Sequence, residues 1–172
     1  MKNIAKIAQE ILKKSTVTKE NFIEALDDYL QDNYSDGDVK TLTSFKSEVG
    51  SEKQSKTYHL YRGVFLNDVS DVEKERLSKL KTYSSDSMSW STDLNVAKAF
   101  AHGSNIYEKN FDLKDDQVGM MLEGTFPSDE VIVDLDYVAS KEDYENLGAI
   151  TENEVLVKPS KKEFKIKQVF LK

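Results

Sequence analysis

The apolar residues change period partway along this chain, and that change limits the possible folds more than any other feature. Up to about residue 50 the spacing is helical. Ile4, Ile7, Ile11 and Leu12 form one stripe. Thr18 is placed to cap a second helix whose apolar face is Phe22, Ala25, Leu26 and Leu30. After a turn at Asn33, Ser35, Asp36 and Gly37, the residues Val39, Leu42, Phe45 and Val49 suggest a third helix. Ser51–Lys56 is polar and aperiodic and reads as a connection. Beyond it the pattern is that of strands: Thr57–Val64, Ser87–Thr92, Met120–Phe126, Val131–Leu135, Glu154–Val157 and Phe164–Leu171. Two helices interrupt them, Val69–Leu80 and a segment with Val96, Ala97, Phe100 and Ala101 capped by Asp93. Gly103–Gln117 reads as a polar, acidic loop. Helices followed by short, mainly antiparallel strands predict an α+β fold, with a helical segment over 1–50 and a strand-rich core over 51–172.

Composition removes several classes of chemistry. The 172 residues include no cysteine and only His59 and His102, which excludes a disulfide framework, an iron–sulfur cluster and a cysteine nucleophile, and argues against a histidine cluster. A net charge of −7 is the wrong sign for a protein that grips phosphate backbones, so nucleic-acid binding is not expected. Neither GxGxxG nor GxxxxGK[ST] occurs. No run approaches the roughly 20 apolar residues of a membrane span. MKNIAKIAQEILKK is too interrupted by polar residues for a signal-peptide core, and its basic stripe reads as a packing face more readily than as a membrane-surface helix. The expectation is a cytoplasmic protein, of the producing cell or of an infected or target cell.

Arginine is scarce. Against twenty-two lysines there are two arginines, Arg62 and Arg76, so the forked geometry that suits phosphate or carboxylate exists at two places. Arg62, followed by Gly63, ends an apolar strand; it can anchor a pyrophosphate, with glycine admitting a ligand to the backbone, or simply pair with a surface acid. Ser89-Trp90-Ser91-Thr92-Asp93-Leu94 runs from a strand into a helix, where hydroxyls can orient a carboxylate, or where Asp93 is only a cap and Trp90 only core. Glu152-Asn153-Glu154 precedes Val155-Leu156-Val157. On a strand the two carboxylates would share a face, with Cα atoms roughly 6.5–7 Å apart, and would repel without a purpose; the alternative is a solvated loop end.

Taken in order, Tyr61-Arg62-Gly63, WSTDLNVAKAFA and ENEVLV resemble the arginine–serine–glutamate class of the mono-ADP-ribosyltransferases, which includes bacterial binary toxins and small transferases of tailed phages. The resemblance covers roughly Thr57 to Lys172. It departs from the pattern at Asp93, where the family often has Ser or Thr, and it leaves Ser89 and Ser91 as alternatives for the motif serine. The resemblance implies helices packed on a split, mainly antiparallel sheet, with NAD as co-substrate and no metal. It implies that Glu154 stabilises the cationic ribose, that Ser91 holds Glu154, that Arg62 anchors the phosphates and that Gly63 meets the nicotinamide amide. Thr92 and Phe100 would also contact the cofactor, Phe100 by stacking or else as core. Glu152 in place of Gln resembles the members that modify arginine, so the implied partner is a target protein presenting an arginine. NAD hydrolysis and a non-catalytic interaction module are the alternatives. For the lysine-rich segment Lys158–Lys172, alternation predicts a strand whose lysine face protects a sheet edge.

Overall fold

The computed structural model describes residues 19–30, 33–44, 57–103, 112–134 and 153–172. The stripe at Ile4–Leu12, the positions Phe45 and Val49, the connection 51–56 and most of the acidic loop lie outside them. Among the described residues, helices α1 (Lys19–Leu30) and α2 (Asp36–Ser44) come first and bury Ala25, Leu26 and Leu42. Helix α2 starts on a reciprocal cap. The Ser35 backbone and hydroxyl both donate to Asp38 Oδ2 at 2.6 Å, while the Asp38 N–H donates to Ser35 Oγ at 3.3 Å. Those bonds hold the Asp38 carboxyl below its usual range.

Seven strands follow: β1 (Thr57–Leu66), β2 (Thr82–Ser85), β3 (Ser89–Ser91), β4 (Val118–Pro127), β5 (Val131–Asp134), β6 (Glu154–Val157) and β7 (Lys162–Phe170). Helix α3 (Asp71–Lys79) lies between β1 and β2, and α4 (Leu94–Ala101) follows β3. The sheet order is β2-β7-β4-β1-β3-β6-β5, and every pairing among the described residues is antiparallel. The fold is α+β. No helix among the described residues is long and apolar enough to cross a membrane.

The core forms where the alternation of β1 meets the facing strands. Tyr58 and Leu60 are buried with Leu122, Phe126, Val155, Val157 and Phe164 around Trp90. The indole packs edge-on to Phe126 at 5.0 Å and against Phe164 at 4.5 Å between ring centroids. A second cluster, Val69, Leu77, Val118 and Met120, lies under α3.

One expectation is overturned. Strand β7 is not an edge: β2 covers one side of it and β4 the other. Its lysines do something else. Lys165 and Lys167 reach Glu123 on β4 at 2.6 and 3.3 Å and hold that carboxyl below the ordinary range, the Lys165 bond being the larger cause. A depressed folded pKa adds stability above the unfolded value of about 4.3, and that stability is lost as pH falls through the folded value. Glu123→Gln should therefore lower the thermal midpoint by a few degrees at most at neutral pH, since exposed pairs contribute little. Melts repeated below the depressed pKa should show no difference from wild type.

Candidate active site

The sheet has a seam. Strands β1 and β4 pair over ten positions, from Thr57↔Pro127 to Leu66↔Val118, whereas β1 and β3 meet at one, Tyr61↔Ser91. Past Tyr61 the β3 side of β1 has no strand partner among the described residues, and a cavity of about 340 Å³ opens there. That lies within the range of small-molecule sites. Arg62, Gly63, Ser89, Ser91, Phe100 and Glu154 all line it, although they are far apart along the chain.

Arg62 ties the two sides of the seam. Its Nη1 donates to the Ser89 carbonyl at 2.6 Å, which fixes the guanidinium while leaving most of its five N–H donors for an anionic ligand. Burial pulls its pKa down, and Tyr29, Glu154 and Asp86 push it back. The group remains a cation, half-buried, where a charge-assisted bond is stronger than in water.

Ser89 and Ser91 play different parts. Ser89 gives its carbonyl to Arg62. Ser91 is the one buried polar side chain among the described residues and stands opposite Glu154 in the β3–β6 ladder. Its hydroxyl accepts the Asp93 N–H at 3.0 Å and donates to the Asn153 carbonyl at 3.3 Å. Asp93 caps α4 by accepting the Asn95 N–H at 2.7 Å. Thr92 is exposed and does not line the cavity; its hydroxyl and N–H are directed to the Asn153 carbonyl.

Glu154 begins β6 and is half-buried on the cavity wall. Glu152 lies outside the described residues. The idea that positions 152 and 154 share a strand face does not carry over. Asn153 has φ of 52°, a left-handed conformation, and β6 starts only after it, so strand alternation does not span this tripeptide.

Gly63 is required first by packing. A Cβ there would lie 2.2 Å from the Ala97 carbonyl oxygen and 2.3 Å from the Ala101 nitrogen, because the backbone of α4 rests on the strand. Gly119 on β4 is the second such seat, 2.0 Å from the Ala101 oxygen. The helix buries Val96, Ala97, Ala99 and Ala101, and it leaves Phe100 42% exposed at the cavity, which removes the core alternative for that residue.

Sequence reasoning missed the opposite wall. Tyr29 on α1 and Tyr34, just before α2, line the cavity with ring centroids 5.0 Å apart, and Tyr34 is 46% exposed. The signal in the sequence was two tyrosines five residues apart, at the end of one helix and in the turn before the next. Such rings suit a flat or cationic group. Neither histidine lines the cavity, and among the described residues no group of three His, Cys, Asp or Glu is placed to hold a metal. Comparison of the chain with protein-family models, curated proteins and solved structures found no match.

Proposed function

We propose that the chain is an ADP-ribosyltransferase that cleaves NAD and passes ADP-ribose to an arginine of a target protein. The observation that carries this reading is the meeting of Arg62, Ser91, Phe100 and Glu154 at one cavity beside a sheet joined by a single residue pair. The motif order in the sequence supports the same family, and an antiparallel sheet in which β1 and β3 meet at one pair is compatible with it.

The chemistry follows from charge. Nicotinamide leaves NAD as a neutral molecule, taking the electron pair of its bond to ribose C1′, so no general acid is required. Positive charge builds on the ribose instead. A carboxylate at Glu154 stabilises charge that exists only in the transition state, which raises turnover more than it tightens binding. Arg62 holds the diphosphate by paired N–H bonds. Phe100 offers an exposed ring to nicotinamide, and the Tyr29–Tyr34 wall closes the cavity from the helical side. A nitrogen of the acceptor guanidinium then forms the new bond to C1′, and the proton it sheds passes to Glu152. That step needs a base, because guanidinium stays protonated in water.

Glu152→Gln is the experiment that tests transfer. With labelled NAD and mixed cell protein, the wild type should label protein bands that release ADP-ribose from arginine. The variant should lose about a hundredfold or more in labelling, the usual size of general-base catalysis. It should still release nicotinamide. Equal loss of both activities would remove the separate role of Glu152, and free ADP-ribose without labelled protein from the wild type would make the chain a glycohydrolase.

A further inference from the structure

Three donors at the end of β3 converge on one atom. The Asn153 carbonyl oxygen accepts the Thr92 N–H at 3.0 Å, the Ser91 hydroxyl at 3.3 Å and the Thr92 hydroxyl at 3.4 Å. A carbonyl oxygen has two lone pairs, so this one is fully engaged. The residue that carries it is left-handed, with φ of 52°, a conformation that a Cβ resists and that asparagine tolerates better than most side chains. The next residue is Glu154. The three after it, Val155, Leu156 and Val157, are buried to within 1% and fix the strand in the core. A change at Asn153 therefore moves the entrance of β6 while the strand itself stays in place.

We propose that Asn153 and Thr92 are positioning residues: the grip on the Asn153 carbonyl keeps that residue left-handed, and the left-handed turn sets the direction in which the Glu154 carboxylate enters the cavity. Thr92 thus acts through the backbone and not on a ligand, in line with its place outside the cavity lining. The inference rests on the NAD chemistry proposed for Glu154 and adds the device that aims it. An extended residue at 153 would swing its carbonyl away from Thr92 and Ser91 and loosen the end rung of the β3–β6 ladder, Ser91↔Glu154, on which the position of the carboxylate depends.

The test is steady-state nicotinamide release from NAD by the full chain, with kcat and KM measured separately for Asn153→Gly, Asn153→Ala, Asn153→Val, Thr92→Ser and Thr92→Val. Among the Asn153 variants kcat should fall in the order Gly, Ala, Val, the order in which a left-handed φ becomes harder to hold. Ala should lose about tenfold and Val about a hundredfold relative to wild type, the scale on which small misplacements of a catalytic group are felt. KM should stay within about twofold, since the NAD contacts are untouched. Thr92→Val should lose several-fold in kcat, and Thr92→Ser, which keeps the hydroxyl, should recover most of it. Ala and Val turning over as fast as Gly, a loss residing in KM, or Thr92→Ser as impaired as Thr92→Val would each overturn the inference while leaving the NAD reading standing. A folded wild type that releases no nicotinamide would overturn that reading and this inference together. If the Val variant does not fold, the Gly–Ala comparison and the Thr92 pair still decide.

Discussion

Glu154→Gln is expected to lower nicotinamide release from NAD by about 10²–10³-fold, while NAD affinity stays within a few-fold of wild type. The magnitude is that of removing one pre-organised group aimed at transition-state charge. The substitution keeps the shape of the side chain and its place at the start of β6, opposite Ser91. It removes only the negative charge, which bound NAD needs little and the developing ribose cation needs greatly. Folding should be almost unaffected, because the residue is half-buried and the apolar residues after it hold the strand. Turnover by single-turnover assay and affinity by titration, followed through the sole tryptophan at the cavity wall, give the two numbers. A parallel loss of binding and turnover would reduce Glu154 to an ordinary ligand contact.

Gly63→Ala should cost stability before it costs anything else. The added Cβ would meet backbone atoms at 2.2 and 2.3 Å, which no side-chain rotamer can relieve. Either α4 lifts from the sheet or β1 bends away from β4, to which it is bonded along its whole length. Overpacking of this kind costs about 3 kcal/mol or more, equivalent to a fall of roughly 6–12 °C in the thermal midpoint for a chain of this size. Gly119→Ala, with its contact at 2.0 Å, should fall by a similar amount. Gly124→Ala is the comparison: its Cβ would meet the rings of Phe126 and Phe164 at 2.9 Å, and side chains can give way where backbone cannot. Circular-dichroism melts of the three variants should rank Gly124→Ala as the mildest. A Gly63→Ala protein melting with wild type would show that the helix does not sit where the structure has it.

Local signals read well where one interaction decided the outcome. Strand β1 was legible from alternation, and α4 from Asp93, whose side chain closes the first turn as its position suggested. Strand β2 was not. Its four residues, Thr82-Tyr83-Ser84-Ser85, carry no apolar alternation and are a strand because β7 pairs with them, a tertiary fact. The lysine face of β7 suggested an edge, but β2 pairs along that side. At the cavity, Arg62, Ser91 and Glu154 were legible as residue types that chemistry needs, but their meeting depends on the β1–β3–β6 order, which no local window contains. Phe100 was ambiguous because an aromatic on an alanine-rich helix fits either face. Asn153 had a readable signal, since asparagine is among the few residues that accept a left-handed φ, yet Glu152 and Glu154 on either side suggested a strand.

The seating of α4 has an evolutionary consequence. Helix and sheet touch main chain to main chain at Gly63 and Gly119, so no side chain lies between them at those points. The spacing that presents Phe100 is thus set at two points by the lack of a methyl group, and the small buried residues Ala97, Ala99 and Ala101 complete the seat. The same arrangement makes both achiral positions dead ends for drift: every single-base escape from glycine adds a side chain where only the helix backbone fits.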